Sequence, residues 1–294
     1  MSPAMVTAAR EDPVWIDSGD ETIFAMVTHP RGTPSETGVV LLPGGSWMPS
    51  TMRNRMYVDL ARRIAAAGVT TVRIDYQGVG ESTGETPFFD LTRPPSTDVA
   101  GATKLLQELG CRRIIAVGSC FGGRAALSVL SDHPSLVGLV MSASPVEDYP
   151  GESQSLGWHA RKALSRETLR NLKDRYPKYV RIIRKKVARW LFPGRGSNGG
   201  SSTLSPDYVA YLQRIVDRGI PTLILHGSRD RHFLPFQRGI ESPVGAKLMK
   251  SGVIQVEVRD GELHGELTIE AQRFASDRIE RFVVDLIGDA MDLT

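Results

Sequence analysis

The sequence has few cysteines and no long apolar run. Cys111 and Cys120 are its two cysteines among 294 residues. Two thiols are too few for a disulfide framework or a four-thiolate zinc site, which favours a reducing compartment. No apolar stretch approaches the roughly 18 residues that span a bilayer, and the N-terminus lacks the regions of a signal peptide. These absences predict a cytoplasmic protein without a transmembrane segment.

The composition shows no strong bias, but the charge is unevenly distributed. With 41% hydrophobic and 23% charged residues, the chain is close to an average globular protein, which argues against collagen-like, coiled-coil and disordered classes. At about 100–200 residues per domain, the length allows one large domain or two small ones. Segment 158–195 holds thirteen Lys and Arg and two acids, a net charge of +11 in a chain whose total is +3. The rest of the chain therefore carries −8.

Short β-branched apolar runs alternate with segments of helical period along most of the chain. This alternation is typical of an α/β architecture with a mostly parallel central sheet flanked by helices. The predicted helices cover 53–67, 98–109, a stretch after Gly122, and 270–287. The predicted strands are Val14–Ile16, Thr22–Thr28, Val39–Leu42, Thr70–Asp75, Ile114–Gly118, Leu136–Ser142, Thr222–Leu225 and Val253–Val258.

The alternation is interrupted between residues 146 and 206. This stretch is basic and ends in a Gly/Ser-rich sequence of linker type, after which strand signals resume. The sequence therefore predicts a core formed by residues 1–145 and 207–294. A helical, basic cap over residues 146–206 is expected to be inserted after the sixth strand.

The most informative motif is Gly118-Ser119-Cys120-Phe121-Gly122, which follows an apolar strand and precedes a helix. This is the pattern of a nucleophile elbow with cysteine in the nucleophile position, where small residues two before and two after keep neighbouring backbone clear. The turn aims the N–H of Phe121 and the helix N-terminus at a developing oxyanion. The alternative is a buried cysteine that acts as a small apolar residue. We interpret Ser119 as structural.

A second glycine turn supplies a candidate partner for the amide of Phe121. The strand at Val39–Leu42 ends in Pro43-Gly44-Gly45-Ser46. Gly45, or its neighbour Ser46, is therefore predicted to provide the other oxyanion-hole amide.

Two further strand ends carry a candidate acid and a candidate base. Asp230 follows the strand at Thr222–Leu225, although it could merely cap the next helix, and Asp148 is its rival as the acid. His264 follows the last strand between glycines, whereas His226 is interpreted as structural and His232 as a pocket residue. The predicted catalytic residues are Cys120, Asp230 and His264, in the chain order nucleophile, acid, histidine. His264 and the helix N-terminus are expected to lower the pKa of Cys120.

These motifs resemble the α/β-hydrolase superfamily from residue 39 to 144 and from 220 to 284. Segment 75–82, D-Y-Q-G-V-G-E-S, is similar to its D-Y-R-G-x-G-x-S segment, and 226–230, H-G-S-R-D, to its H-G-x-x-D element. Cysteine in the elbow resembles the dienelactone hydrolases. The capped organisation is similar to exosortase-associated hydrolases and to thioesterase-like and Dieckmann-cyclase-like enzymes of polyketide and nonribosomal peptide clusters. The resemblance implies an α/β-hydrolase fold and a Cys-His-Asp triad that needs no metal or organic cofactor.

The cysteine nucleophile favours particular substrates. Thiolate is a better leaving group than alkoxide, so forming an S-acyl enzyme from an oxygen ester is uphill, whereas a thioester exchanges sulfur for sulfur. We expect an acyl-transfer enzyme acting on a thioester or activated ester by hydrolysis, transfer or cyclisation. The alternatives are a simple carboxylesterase or dienelactone-hydrolase-like enzyme, and a non-catalytic binding protein of the same fold.

The basic segment 158–195 permits two interpretations. It is either a solvated helical face or a surface that attracts an acidic acyl carrier protein, the phosphates of coenzyme A, or anionic lipid headgroups. Apolar residues interleave with its charges, as in an amphipathic lid. The sequence has no nucleic-acid-binding motif, so we expect no nucleic acid partner.

Overall fold

The computed structural model describes residues 9–45, 47–86, 90–148 and 204–291. The strands in these ranges are β1 Arg10–Ser18, β2 Glu21–His29, β3 Thr37–Leu42, β4 Thr70–Ile74, β5 Arg113–Ser119, β6 Leu136–Ser142, β7 Thr222–Gly227 and β8 Ile254–Arg259. The helices are α1 Met56–Ala66, α2 Ser96–Glu108, α3 Phe121–Leu130, α4 Pro206–Asp217, α5 Phe233–Glu241, α6 Pro243–Met249 and α7 Ile269–Met291, with a 3₁₀ turn at Arg53–Arg55. Both parts of the chain contribute to one compact unit.

The eight described strands form a single sheet in the order β1-β2-β4-β3-β5-β6-β7-β8. From β4 to β8 all neighbours are parallel, while β1 and β2 form an antiparallel hairpin that joins the edge of β4. The expected mostly parallel sheet flanked by helices is confirmed. All eight predicted strands are present, with β1 longer than predicted, whereas helices α4, α5 and α6 lie outside the predicted helical segments.

The register brings the carboxyl ends of five strands to one edge of the sheet. Leu42 pairs with Gly118, Ser119 with Ser142, and Ser142 with Leu225, so that β3, β5, β6 and β7 end at the same level. Gly227 pairs with Arg259 at the end of β8. The loops that follow these strands therefore meet at this edge, where open parallel sheets carry their ligand sites.

The core consists of two layers, one on each face of the sheet. Along β3, Val39 and Leu41 belong to the cluster that includes the buried faces of α1 and α7. Because side chains alternate along a strand, Val40 and Leu42 point to the opposite face, on the side of α2 and α3. Burial on both faces explains why the central strands read as continuous apolar runs.

Most of the predicted cap lies outside the described residues, which omit 149–203. At its borders, the Ser205 N–H donates to the Val146 carbonyl at 2.9 Å, so the chain leaves and re-enters the core at adjacent points. The Ser205 hydroxyl accepts the N–H of Tyr208 and caps α4, whose first residue is Pro206. None of the described helices is long and apolar enough to cross a membrane.

Candidate active site

Cys120 lies at the tip of a sharp turn between β5 and α3. Its backbone has φ 46° and ψ −111°, a left-handed conformation that is unfavourable for a residue with a side chain. Glycines on either side make this turn possible, because a Cβ on Gly118 would come closer than 3.0 Å to the backbone of Gly122, and one on Gly122 would collide with the carbonyl of Leu42. The predicted elbow is therefore present, with the cysteine at its apex.

His264 is the histidine that the fold brings to Cys120. It lies in the turn that follows β8, and its Nε2 is 3.3 Å from the Sγ of Cys120. This distance is within hydrogen-bonding range for sulfur, so the pair is arranged for proton transfer between thiol and imidazole.

The Asp230 side chain holds the turn around His264, here called the histidine turn, by accepting hydrogen bonds from the backbone of that turn. The buried carboxylate accepts the N–H groups of Leu263 and His264 at Oδ1, both at 2.7 Å, and the N–H of Gly227 at Oδ2, also at 2.7 Å. These contacts connect the end of β7 to the residue that carries the imidazole. The negative charge of Asp230 also raises the pKa of His264, against larger opposing influences.

Asp148, the rival acid, has a different partner. Its Oδ1 lies 2.5 Å from Nη2 of Arg124, a buried residue of α3 whose guanidinium also reaches the Ser205 hydroxyl at 3.3 Å and stacks on the Tyr208 ring. The structure thus brings Asp230 to His264 and places Asp148 in an ion pair beside the border of the predicted cap. The sequence interpretation did not include Arg124, because its position in the elbow helix does not reveal its partners.

The surroundings of Cys120 oppose its ionisation. Burial of the sulfur and the negative charge of Glu266 raise the pKa of Cys120 to about 12, although Arg231 and the Phe121 N–H favour the thiolate. The expectation of a lowered cysteine pKa is therefore wrong for the resting protein. Burial and the charge of Arg231 lower the pKa of His264, so the resting pair at neutral pH is a neutral thiol next to a neutral imidazole.

The candidate oxyanion-hole residues lie beside the elbow. The Phe121 N–H interacts with the sulfur of Cys120, and the glycine turn after β3 is adjacent, because a Cβ on Gly44 would be 3.5 Å from the Cβ of Cys120. Gly45 follows with φ 88°, a conformation that favours glycine. Ser46, its alternative, lies outside the described residues.

Tyr76, in the D-Y-Q-G segment, has a structural role beside the elbow. Its hydroxyl donates to the Pro43 carbonyl at 3.3 Å, and its ring packs edge-on against Phe121 with centroids 5.8 Å apart. The residue thereby contacts both candidate oxyanion segments and fixes their spacing.

Two more histidines, His226 and His232, lie close to His264. His226 is fully buried and packs on Phe236 with ring centroids 4.6 Å apart, and burial lowers its pKa to about 4. The His232 ring lies 5.3 Å from that of His264 and accepts a hydrogen bond from Arg231, and burial lowers its pKa to about 3. Both are neutral near pH 7, consistent with the structural and pocket roles predicted for them.

Glu266 is a buried acid that the sequence interpretation missed. It follows His264 by two residues, and its carboxyl group accepts hydrogen bonds from the hydroxyls of Ser119 and Ser142. The structural interpretation of Ser119 is thereby supported, since its hydroxyl points to Glu266. Within the described ranges no group of three or more His, Cys, Asp or Glu side chains is arranged to hold a metal ion.

Comparison with known proteins identifies the family to which the chain belongs. The chain matches the alpha/beta hydrolase family over residues 39–266, which include Cys120, Asp230 and His264, and it belongs to this family. A relative named "Putative non-heme haloperoxidase" from Mycobacterium phage D29 is 23% identical over 210 residues, 64% of this chain and 71% of the relative.

Solved structures of hydrolases share the fold. Proline iminopeptidase of Mycobacterium smegmatis is 18% identical, with a TM-score of 0.55 over 95% of this chain and all of that one. An esterase of Pyrococcus furiosus is 16% identical, with a TM-score of 0.60 over 96% of this chain and 93% of the esterase. The expected α/β-hydrolase fold is therefore confirmed.

Proposed function

We propose that the protein is an acyl-transfer hydrolase that uses Cys120 as nucleophile, His264 as base and Asp230 as orienting acid, and that it acts on thioesters or activated esters. The observation that carries this proposal is the 3.3 Å approach of His264 Nε2 to Cys120 Sγ at the tip of a strained elbow. Strained non-glycine backbone of this kind costs about 1–3 kcal/mol and clusters at functional sites.

The resting protonation states favour general-base catalysis. As Sγ attacks the acyl carbonyl carbon, Nε2 of His264 takes the thiol proton, so no free thiolate has to accumulate. The amides of Phe121 and Gly45 are proposed to hold the oxyanion of the tetrahedral intermediate. The intermediate expels the leaving thiolate or alkoxide, which receives the proton from His264. Water activated by His264 then attacks the S-acyl group and releases the acid and the thiol of Cys120.

Asp230 supports this cycle by fixing the histidine turn and by its charge. Two of its backbone hydrogen bonds hold the segment that carries the imidazole, and the third connects the carboxylate to Gly227 at the end of β7. Its charge is proposed to stabilise the imidazolium that forms during attack. Asp148 is engaged by Arg124 instead, which favours Asp230 as the acid.

The apolar surface near the site favours a substrate with an apolar acyl group. Three large side chains are more than half exposed on segments that follow β3, β7 and β8, namely Trp47 at 61%, Leu234 at 52% and Leu267 at 56%. Trp47 follows the glycine turn and Leu267 follows Glu266, so both belong to the loops of the site edge. Exposed apolar residues near a catalytic pair suit contact with an acyl chain.

A matched pair of substrates tests the proposal. We expect the wild-type protein to hydrolyse an N-acetylcysteamine thioester faster than the ethyl ester of the same acid, because sulfur-for-sulfur exchange carries little penalty. Cys120→Ala should lower thioester turnover by at least about 10⁴-fold, as removal of a triad nucleophile does. Cys120→Ser should lose the preference for the thioester. Undiminished turnover in Cys120→Ala would refute the cysteine nucleophile, and a wild-type preference for the ethyl ester would refute the substrate class.

A further inference from the structure

Glu266 is a buried carboxyl group that the proposed mechanism leaves without a role. Its side chain is completely excluded from solvent. The hydroxyl of Ser119 lies 2.7 Å from its Oε1 and 2.8 Å from its Oε2, and the hydroxyl of Ser142 lies 2.9 Å from Oε1. Burial of a carboxyl group costs free energy, so a buried acid two residues from His264 indicates a functional or structural role.

The two serines are the residues that hold the elbow. Ser119 directly precedes Cys120 and is paired with Ser142 in the register of β5 and β6. The carbonyl of Ser142 accepts the N–H of Cys120 at 2.7 Å. The carboxyl group of Glu266 therefore connects the histidine turn to both strand ends that position the sulfur.

The backbone of Glu266 is strained, and its main-chain contacts compensate for the strain. Its φ of 41° lies in the left-handed region. The Glu266 N–H donates to the Leu263 carbonyl at 2.9 Å, which closes the turn around His264, and the Glu266 carbonyl accepts from Gln272 Nε2 at 2.7 Å. Such backbone persists only where the surrounding structure over-determines it. The histidine turn is thus clamped by Asp230 at one end and by Glu266 at the other.

We propose that Glu266 is a positioning residue that locks the His264 turn onto the strand ends carrying Cys120, and that the charge of its carboxyl group controls how readily Cys120 loses its proton. The inference rests on the proposed cysteine nucleophile. Its physical basis is that a negative charge buried beneath the elbow opposes a second negative charge on the sulfur. With the carboxyl group neutral, that opposition disappears while the hydrogen bonds to the serines persist.

The groups around Glu266 place this change of charge near neutral pH. Burial raises the pKa of Glu266 to about 7, with a further increase from Asp230, while the Ser119 and Ser142 hydroxyls and Arg53 oppose the rise. The charge of Glu266 in turn raises the pKa of Cys120 and of Tyr57, which faces it from α1. Above about pH 7 the carboxylate therefore opposes thiolate formation, and below it the opposition is removed.

Alkylation of Cys120 by iodoacetamide, followed by peptide mapping, measures the charge effect without any substrate. We expect Glu266→Gln to alkylate up to about tenfold faster than wild type above pH 8 and at the wild-type rate below pH 6, since one unit of cysteine pKa corresponds to tenfold in thiolate. Glu270→Gln, an exposed acid in the same stretch of chain, is the matched control and should follow wild type. A ratio of Glu266→Gln to wild type that stays constant with pH would refute control by charge.

The positioning role has a separate readout in steady-state kinetics. Glu266→Gln keeps the shape and a hydrogen bond to each serine, so it should retain kcat within a few-fold. Glu266→Ala and Ser119→Ala break the link to β5 and should lower kcat about tenfold or more with little change in KM. If Glu266→Ala fails to fold, Ser119→Ala still tests the same hydrogen-bonded link. Wild-type kcat in Ser119→Ala would refute positioning through this link. Full activity of Cys120→Ala would instead refute the proposed function, a result that the alkylation profile does not depend on.

Discussion

At the scale of single residues, the arrangement of Cys120 and His264 is similar to a serine–histidine pair rather than to a preformed thiolate–imidazolium pair. The pKa of Cys120 is raised to about 12 and that of His264 is lowered, so both residues are neutral at rest. In the proposed mechanism the thiol loses its proton only as it attacks, when the candidate oxyanion-hole amides share the developing charge. A resting thiol is also less prone to oxidation than a thiolate, because oxidation follows thiolate character.

The identity of the orienting acid is a prediction at this scale. We expect Asp230→Asn to lower kcat on the order of 10³-fold or more, because a neutral amide neither stabilises the imidazolium nor holds the histidine turn as tightly. Asp148→Asn should keep kcat within about threefold but lower the free energy of unfolding by about 1–3 kcal/mol, since it weakens a charge-assisted bond to buried Arg124. Steady-state kinetics and urea denaturation measure the two effects.

Asp132→Asn provides the control for the loss of an ion pair. Its partner Arg214 lies at 2.8 Å, and both side chains are well exposed, so the change should cost less than about 1 kcal/mol. If Asp148→Asn lost activity while Asp230→Asn kept it, the assignment of the acid would be wrong.

Single residues differ in how far the sequence predicts them. Cys120, Asp230 and His264 each follow a strand and lie near glycines, so local pattern predicts their place at the site edge. No such local pattern marks Glu266, because its role depends on a hydrogen bond with Ser119, which lies 147 positions away in the chain. Pairings over such distances follow from the sheet register, and no local periodicity encodes them.

At the scale of elements, the turn between β5 and α3 depends on backbone contacts that exclude a side chain. A Cβ on Gly122 would lie closer than 3.0 Å to the carbonyl oxygens of Leu42 and Pro43, and one on Gly118 would meet the backbone of Gly122 itself. Both neighbours are backbone atoms of packed segments, which have little room to move. The elbow is therefore as much a packing feature of three segments as a local turn.

Substitution of Gly122 tests whether the turn depends on this close backbone packing. Gly122→Ala should lower the melting temperature by about 10 °C, because a backbone collision of this type costs about 4 kcal/mol and a domain of this size loses roughly 2–4 °C per kcal/mol. Gly288→Ala is the matched control, since it lies in α7 with nothing within 4 Å of the added Cβ. That change should stabilise slightly, as alanine does within a helix. Thermal unfolding followed by circular dichroism compares the two, and equal melting temperatures would contradict the role of Gly122.

The elements also show where sequence patterns succeed and fail. The central strands are predictable because burial on both faces requires continuous apolar runs. Helix α6 was not predicted, although Ser242 followed by Pro243 is a helix-start signal that the structure uses, with the Ser242 hydroxyl accepting the N–H of Gly245. With seven residues, the helix is too short for its apolar period to be recognised.

At the scale of the whole molecule, the distribution of charge separates the basic segment 158–195 from the rest of the chain. Its net charge of +11 contrasts with −8 for the remaining residues, including the hydrolase core described above. The segment lies outside the described residues, so its proposed role rests on its composition. A segment of this charge would attract an acidic carrier protein or the phosphates of coenzyme A, and attraction of this kind acts mainly on the rate of encounter.

Salt dependence tests that role. If the basic segment binds a carrier-bound or coenzyme A thioester, the apparent KM for that substrate should rise with ionic strength, because exposed charges are screened over about 8–10 Å at 0.1–0.15 M salt. An N-acetylcysteamine thioester of the same acid lacks phosphates and should show no such dependence. Charge reversal at Arg184, Lys185 and Lys186 should likewise raise KM for the charged substrate alone, since the change removes attraction without altering Cys120 or His264. Equal losses for both substrates would assign the segment to shaping the pocket, and unchanged kinetics for both would leave it a solvated face, so either result would contradict the proposed partner.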